Sequence, residues 1–214
     1  MKHFFSLTLL AFLFMGGVSA QQDTKAKEIL DKVSENTRSF SAIKAQFSFS
    51  MENPEEGINE QNEGRLWLKG DKYKVEIMGV ESYCDGKNVW TYMPDAGEVN
   101  ITTMDTNNED ALNPAKILTI YENGFNYKFI EETTDNNRPV YIIDLFPNKE
   151  SDLARVRLKI HKENLQLLTV HAYANDGNLY SVIVKTFDTN LPVEDSNFIF
   201  DTSKHPDVEV IDMR

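Results

Sequence analysis

Polar and apolar residues alternate along most of this chain. Over residues 40–51, Ile43, Ala45, Phe47, Phe49 and Met51 fall on one face and Lys44, Gln46, Ser48 and Ser50 on the other. A period of two predicts a long strand with one wet face. Residues 72–78 repeat the pattern, with Tyr73, Val75 and Ile77 set against Lys72, Lys74 and Glu76. So do Val156, Leu158 and Ile160 against Arg155, Arg157, Lys159 and His161. From Phe125 onward strands are predicted at 125–132, 138–146, 153–162, 165–174 and 178–187. Turn residues at 135–137, 147–148, 163–164 and 175–178 separate them, and connections this short predict an antiparallel meander. One stretch has the helical period instead. Ala26, Ile29, Leu30 and Val33 form a stripe within 22–38, with Asp23 or Thr24 as cap.

The stretch 64–94 breaks the simple alternation. Leu66 and Leu68 oppose Trp67, and Val89 and Met93 oppose Trp90 and Tyr92, so both faces are apolar. A sheet of that kind needs cover on both sides. Asp85-Gly86 predicts a hairpin of type I′. Residues 53–63 are polar and read as a loop, 98–102 as a short strand, and 105–110 as an acidic loop. Residues 111–121 read as a second short helix, with Asn113 as cap, Pro114 in the first turn, and Ile117, Leu118 and Tyr121 on its apolar side. Residues 192–197 read as a linker or half-turn, and the apolar runs 198–200 and 208–210 close the chain. The fold expected is mainly β (α+β): one strongly curved antiparallel sheet, with two short helices over its concave apolar face. Two short helices cannot fill that face, which leaves a cavity or a very aromatic core.

Residues 1–20 carry a basic start, an apolar run over 4–15 and a small-residue ending at Ala20, the pattern of a cleaved export signal. The run is too short for a membrane span of about 20 residues. Gln21, not cysteine, follows it, so no lipid anchor is expected. Residues 21–214 then form a single domain with 21 basic against 34 acidic residues, only Lys2 being lost with the signal. Such a surface repels phosphate backbones and anionic headgroups, which argues against a nucleic-acid partner. The lone cysteine, Cys84, excludes an internal disulfide and reads as a buried hydrophobe. No nucleophile elbow, zinc-protease pair, phosphate loop or C-x-x-C is present. His161 and His171 fall on neighbouring strands but lack a third ligand, so neither a metal nor any cofactor is expected.

Gly64-Arg65-Leu66-Trp67-Leu68-Lys69, then Lys72-Tyr73-Lys74-Val75, then the run from Cys84-Asp85-Gly86-Lys87 through Trp90 and Tyr92 to Pro94 resemble the LolA-type periplasmic lipoprotein carriers. Phe40 to Phe47 resembles that family's first strand, Asn113-Pro114-Ala115-Lys116-Ile117-Leu118 its lid segment, and Phe198 to Val210 its C-terminal end. The order of the pieces carries the likeness. The resemblance implies an unclosed β-barrel whose apolar hollow is covered by helices. It also implies a carrier, not an enzyme. Such a carrier takes acylated lipoproteins from an inner-membrane ABC transporter of the lipoprotein-release type and passes them to an outer-membrane acceptor. It would work in the periplasm as a monomer. In one place the chain departs from the family pattern. A basic residue followed by Pro is usual after the Leu-Trp strand; here Lys69-Gly70-Asp71 stands there, and an ammonium lacks the planar fork with which Arg would lock a lid.

On this reading Phe47, Phe49, Trp67, Tyr73, Val75, Trp90, Tyr92, Ile117 and Leu118 are candidate cavity residues. Ile29, Leu30, Val33 and Tyr121 belong to the lid, and Lys69 is its candidate lock. Strand parity alone does not say which face is concave. Two other classes stay open: a lipid-sensing regulator on the same sheet, and an exported hydrolase using His161 or His171.

Overall fold

The structure, a computed structural model, describes residues 23–104, 121 and 124–214. Among the described residues, one α-helix, α1 (Thr24–Ser39), precedes twelve strands. These are β1 (Ile43–Asn53), β2 (Ile58–Lys69), β3 (Lys72–Ile77), β4 (Val80–Cys84), β5 (Asn88–Met93) and β6 (Glu98–Thr103), then β7 (Phe125–Asp135), β8 (Arg138–Pro147), β9 (Leu153–His161), β10 (Leu167–Ala174), β11 (Leu179–Thr189) and β12 (Glu209–Asp212). The expected signal at 1–20, the loop at 105–110 and the second helix, except Tyr121, lie outside the described residues.

The strands form one sheet in the order β12-β6-β5-β4-β3-β2-β1-β11-β10-β9-β8-β7. Two antiparallel meanders, β1 to β6 and β7 to β11, are joined where β11 returns beside β1. The ends, β12 and β7, do not pair with each other, so the sheet is not closed into a barrel. It is strongly curved, because Leu66, Tyr73 and Cys84 of one meander share a core with Ile143, Leu145 and Val156 of the other. Extra residues assist the bend: the register slips opposite Gln46/Phe47, at Phe129/Glu131 and at Leu167/Thr169.

Turn chemistry explains the hairpins. Asn136 and Asn137, with φ of 48° and 60°, make the β7–β8 turn, and Met78-Gly79 the β3–β4 turn, both positive as a type I′ turn requires. Asp85-Gly86 is a hairpin turn of another kind. Only Gly86 has positive φ, and the Asp85 carboxylate accepts from the backbone N–H groups of Lys87 and Asn88. Residues 53–63 are not a loop. β1 and β2 run on as a paired hairpin to a tip at 54–57, polar because the β2 arm leads out into solvent. Buried Asn53 ties this tip to the β10–β11 turn through Asn178 Oδ1 at 3.1 Å.

The outer face carries a second core. Trp90, Val99 and Ile101 are covered by Phe200, with Tyr83, Tyr92 and Val208 around them. The segment 198–200 ends a 3₁₀ turn (Asp195–Phe198) and continues as a strap across the sheet, before β12 joins β6 in parallel. Lys69 clamps this strap. Its ammonium donates to Val193 O at 2.9 Å and to Asp195 Oδ1 at 2.8 Å, and Lys72 donates to Asp195 Oδ2 at 2.6 Å. The expected lid lock is thus a strap lock, because Lys69 shares the outward parity of Trp67. Farther along the outer face, buried Asp144 is held bidentately by Arg157 at 2.7 and 2.8 Å, with Arg155 at 3.3 Å.

Two outcomes follow from these clamps. Arg157→Ala removes both short bonds to a carboxylate only 3% exposed, leaves it the longer bond from Arg155, and is expected to destabilise the fold by about 3 kcal/mol in urea unfolding. The bonds from Lys69 and Lys72 hold the Asp195 carboxyl at about 2, against an ordinary 3.8. Because folding lowers this pKa, the clamp is at full strength above pH 3.8 and is lost as pH falls through about 2. In a Trp67→Phe background, Trp90 fluorescence should report strap release across that window. Lys69→Ala should move the release to higher pH.

Candidate functional site

The concave face of the sheet is built from the inward rows of both meanders. Ile43, Leu68, Tyr73, Cys84 and Val89 stand opposite one another in one row, and Ala45, Leu66 and Val75 in the next. Leu167, Val170, Leu158, Ile160, Ile143 and Leu145 supply the facing wall. Burial pushes the Tyr73 hydroxyl up to about 12 and raises the Cys84 thiol, as expected of a dry, apolar hollow.

Helix α1 covers this hollow. Ile29, Leu30 and Val33, between 1 and 7% exposed, share one cluster with the residues of both meanders, and Tyr121 joins them. The helix is tied at both ends. Asp23 caps its start by accepting from Lys25 and Ala26 N–H groups, and its other oxygen accepts from Phe129 N–H on the edge strand β7 at 3.0 Å. Burial opposes the charge on Asp23, but the backbone bonds prevail and hold its carboxyl below the usual range. The Lys25 ammonium lies 3.6 Å from the Phe129 ring centroid. Near the other end, Asn36 Nδ2 donates to Asn164 O at 2.9 Å, in the β9–β10 turn. A cleft of about 760 Å³ opens beside the helix, lined by Leu30, Ser34, Tyr121 and Tyr127 with charged Lys27, Asp31, Glu35 and Arg38 at its rim.

The candidate cavity residues divide between the two faces. Phe47, Phe49, Tyr73 and Val75 share the inward parity, Tyr73 and Val75 buried and the two phenylalanines half-buried. Trp67, Trp90 and Tyr92 do not line the hollow. Trp67 faces outward between the cationic groups of Lys44, Arg65 and Lys74, 5.6 to 5.9 Å from its ring, while Trp90 and Tyr92 lie under the strap. Sequence reasoning grouped them with the cavity because aromatic residues on two-sided strands carry no mark of which core they serve. Ile117 and Leu118 lie outside the described residues. Missed as inward residues were Ile43, Leu66 and Leu68. Their alternation with Lys44, Trp67 and Lys69 was visible, but the tryptophan drew the assignment to the wrong face.

The histidines have local partners. His161 Nδ1 accepts from the backbone N–H groups of Glu163 and Asn164, closing a turn. His171 Nδ1 lies 2.8 Å from Ser181 Oγ on the outer face; burial, then Lys159, lowers its pKa. Ser181 is 4% exposed, a poor position for a nucleophile. Among the described residues no three His, Cys, Asp or Glu side chains gather as a metal site. Among them, too, no helix is long and apolar enough to cross a membrane.

Comparison with known proteins places this architecture. A family profile described as outer membrane lipoprotein carrier protein LolA matches residues 17–173. A search of curated proteins finds no sequence match. Among solved structures, an uncharacterized conserved protein from Thermus thermophilus shares the fold at 15% identity and TM-score 0.62, covering 88% of this chain and 99% of that one. A LolA superfamily protein from Nitrosomonas europaea matches at 12% identity and TM-score 0.44, covering 82% and 97%. Mycobacterium tuberculosis lipoprotein LppX matches at 11% identity and TM-score 0.46, covering 78% and 98%. With a profile match over well more than half its length, on an unclosed sheet capped by a helix, the chain belongs to the outer membrane lipoprotein carrier protein LolA family.

Proposed function

We propose that this protein is an exported carrier that shelters the acyl chains of lipoproteins between membranes, with α1 as a displaceable plug. Residues 1–20 serve as its signal, removed after Ala20, and 21–214 work in the periplasm as one domain. The carrier receives acylated lipoproteins from an inner-membrane ABC transporter and delivers them to an outer-membrane acceptor. The observation that carries this reading is the inner face itself: an apolar concave surface on an unclosed sheet, covered among the described residues by the amphipathic helix α1. Family membership supports the cargo class.

The magnitudes favour exchange over permanent burial. Ile29, Leu30 and Val33 together contribute about 5 to 9 kcal/mol of apolar burial at the usual rate per side chain. One chain of roughly 16 carbons gains about 12 kcal/mol on leaving water at about 0.8 kcal/mol per methylene. A single chain therefore outcompetes the helix, yet the net gain stays modest because the helix contacts are given up. Three chains buried with no such exchange would exceed about 30 kcal/mol. That lies beyond the roughly 20 kcal/mol ceiling of non-covalent binding and would leave nothing releasable.

Locking the helix tests this. Asn36→Cys with Asn164→Cys, in a Cys84→Ala background, places a disulfide where Asn36 already meets the β9–β10 turn. The oxidised protein should bind an N-palmitoylated peptide far more weakly than the same protein after reduction. Equal binding in both states would count against a displaceable plug. Independently, organic extraction of the freshly purified protein followed by mass spectrometry should yield acyl lipid.

A further inference from the structure

Seven of the eight described glycines have positive φ and stand at turns or bends. Gly64 is the exception: it lies inside β2, and its φ is outside the left-handed region, so the backbone there accepts any residue. What it lacks room for is a side chain. A Cβ at this position would lie 2.4 Å from Cζ and 2.5 Å from Cε2 of Phe47, and the three nearest atoms all belong to that ring. Phe47 is the residue paired with Gly64 across β1 and β2, on the concave side. A glycine inside a strand often marks such a close approach.

The place of this contact in the trough gives it meaning. On one side of the Phe47 row, Ile43, Ala45, Leu66 and Leu68 are buried. On the other, Phe49 and Met51 are half-buried, with Phe49 stacked on Tyr180 at 6.4 Å between ring centroids. Phe47 stands four residues, about 13 Å, from Ile43 and as far from Met51. It therefore marks the border between the covered part of the floor and a shelf of partly exposed aromatic and thioether side chains.

We propose that Gly64 sets the depth of the trough, and so the length of unbranched acyl chain it accepts. By leaving space for the edge of the Phe47 ring to fold onto β2, it keeps the floor continuous from the covered part to the shelf. Any side chain at 64 lifts the ring into a sill across the trough. Short chains still fit on one side of the sill, and long ones no longer lie across it. The ring is the far end of a half-buried side chain, not backbone, so it can yield without unravelling the strand pair. This assignment rests on the acyl-binding reading above and adds its length selectivity.

The test is displacement of the dye 1-N-phenylnaphthylamine by saturated fatty acids from octanoate to stearate, with thermal melting to confirm folding. Gly64→Ala is expected to weaken palmitate and stearate by about tenfold or more, the scale of overpacking, and to leave octanoate unchanged. Phe47→Ala added to Gly64→Ala should restore the long chains. Phe47→Leu with Gly64 retained lowers the floor from the other partner and should tighten stearate binding. A folded Gly64→Ala with the wild-type length profile overturns the assignment of Gly64 alone, as does failure of both Phe47 variants to favour long chains. A wild-type protein that binds the dye but none of these acids overturns the acyl-binding reading itself.

Discussion

Everything in this fold answers to one constraint: a curved sheet with an apolar inner face cannot present that face to water. A closed barrel meets the constraint with its own wall. Here β7 and β12 stay apart, and the inner rows of both meanders converge on one buried cluster that they share with the helix. Helix α1 completes it with a stripe of three large aliphatic residues, held by tertiary packing more than by helix propensity. Among the described residues this cover is an element separate from the sheet, and the proposed carrier role depends on its being displaced.

The outer face of the first meander is treated in the opposite way. Its aromatic rows are covered by the chain's own C-terminal strap, and the strap is clamped by charged groups at Asp195 and sealed by Phe200 against Tyr83 and Tyr92. No described α-helix takes part there; the strap contributes only short 3₁₀ turns. The same strands therefore carry fixed cover outside and helical cover inside. β2 shows the division residue by residue, with Leu66 and Leu68 turned to the hollow and Trp67 set among cations on the outside.

Much of this was legible in the sequence. Strand positions followed from alternation, α1 from its stripe and Asp23 cap, and the antiparallel meanders from short polar turns. Faces were not legible where both were apolar, because parity relates neighbours without saying which side is concave; hence Trp67, Trp90 and Tyr92 were read into the cavity. The β2 arm over 58–63 was read as a loop because its residues are polar on both sides, a pattern that a hairpin tip in water shares with a true loop. Lys69 was assigned to the lid by family position, whereas its bonds are decided by Val193 and Asp195, more than 120 residues away in the chain. The parallel docking of β12 is likewise a long-range event with no local signature.

Asp23 joins two structural roles in one carboxylate. One oxygen starts the helix, and the other occupies an edge-strand donor at Phe129. If the helix swings away as proposed, that edge N–H loses its acceptor. The displaced and covered forms would then differ at the border of the sheet as well as in its interior.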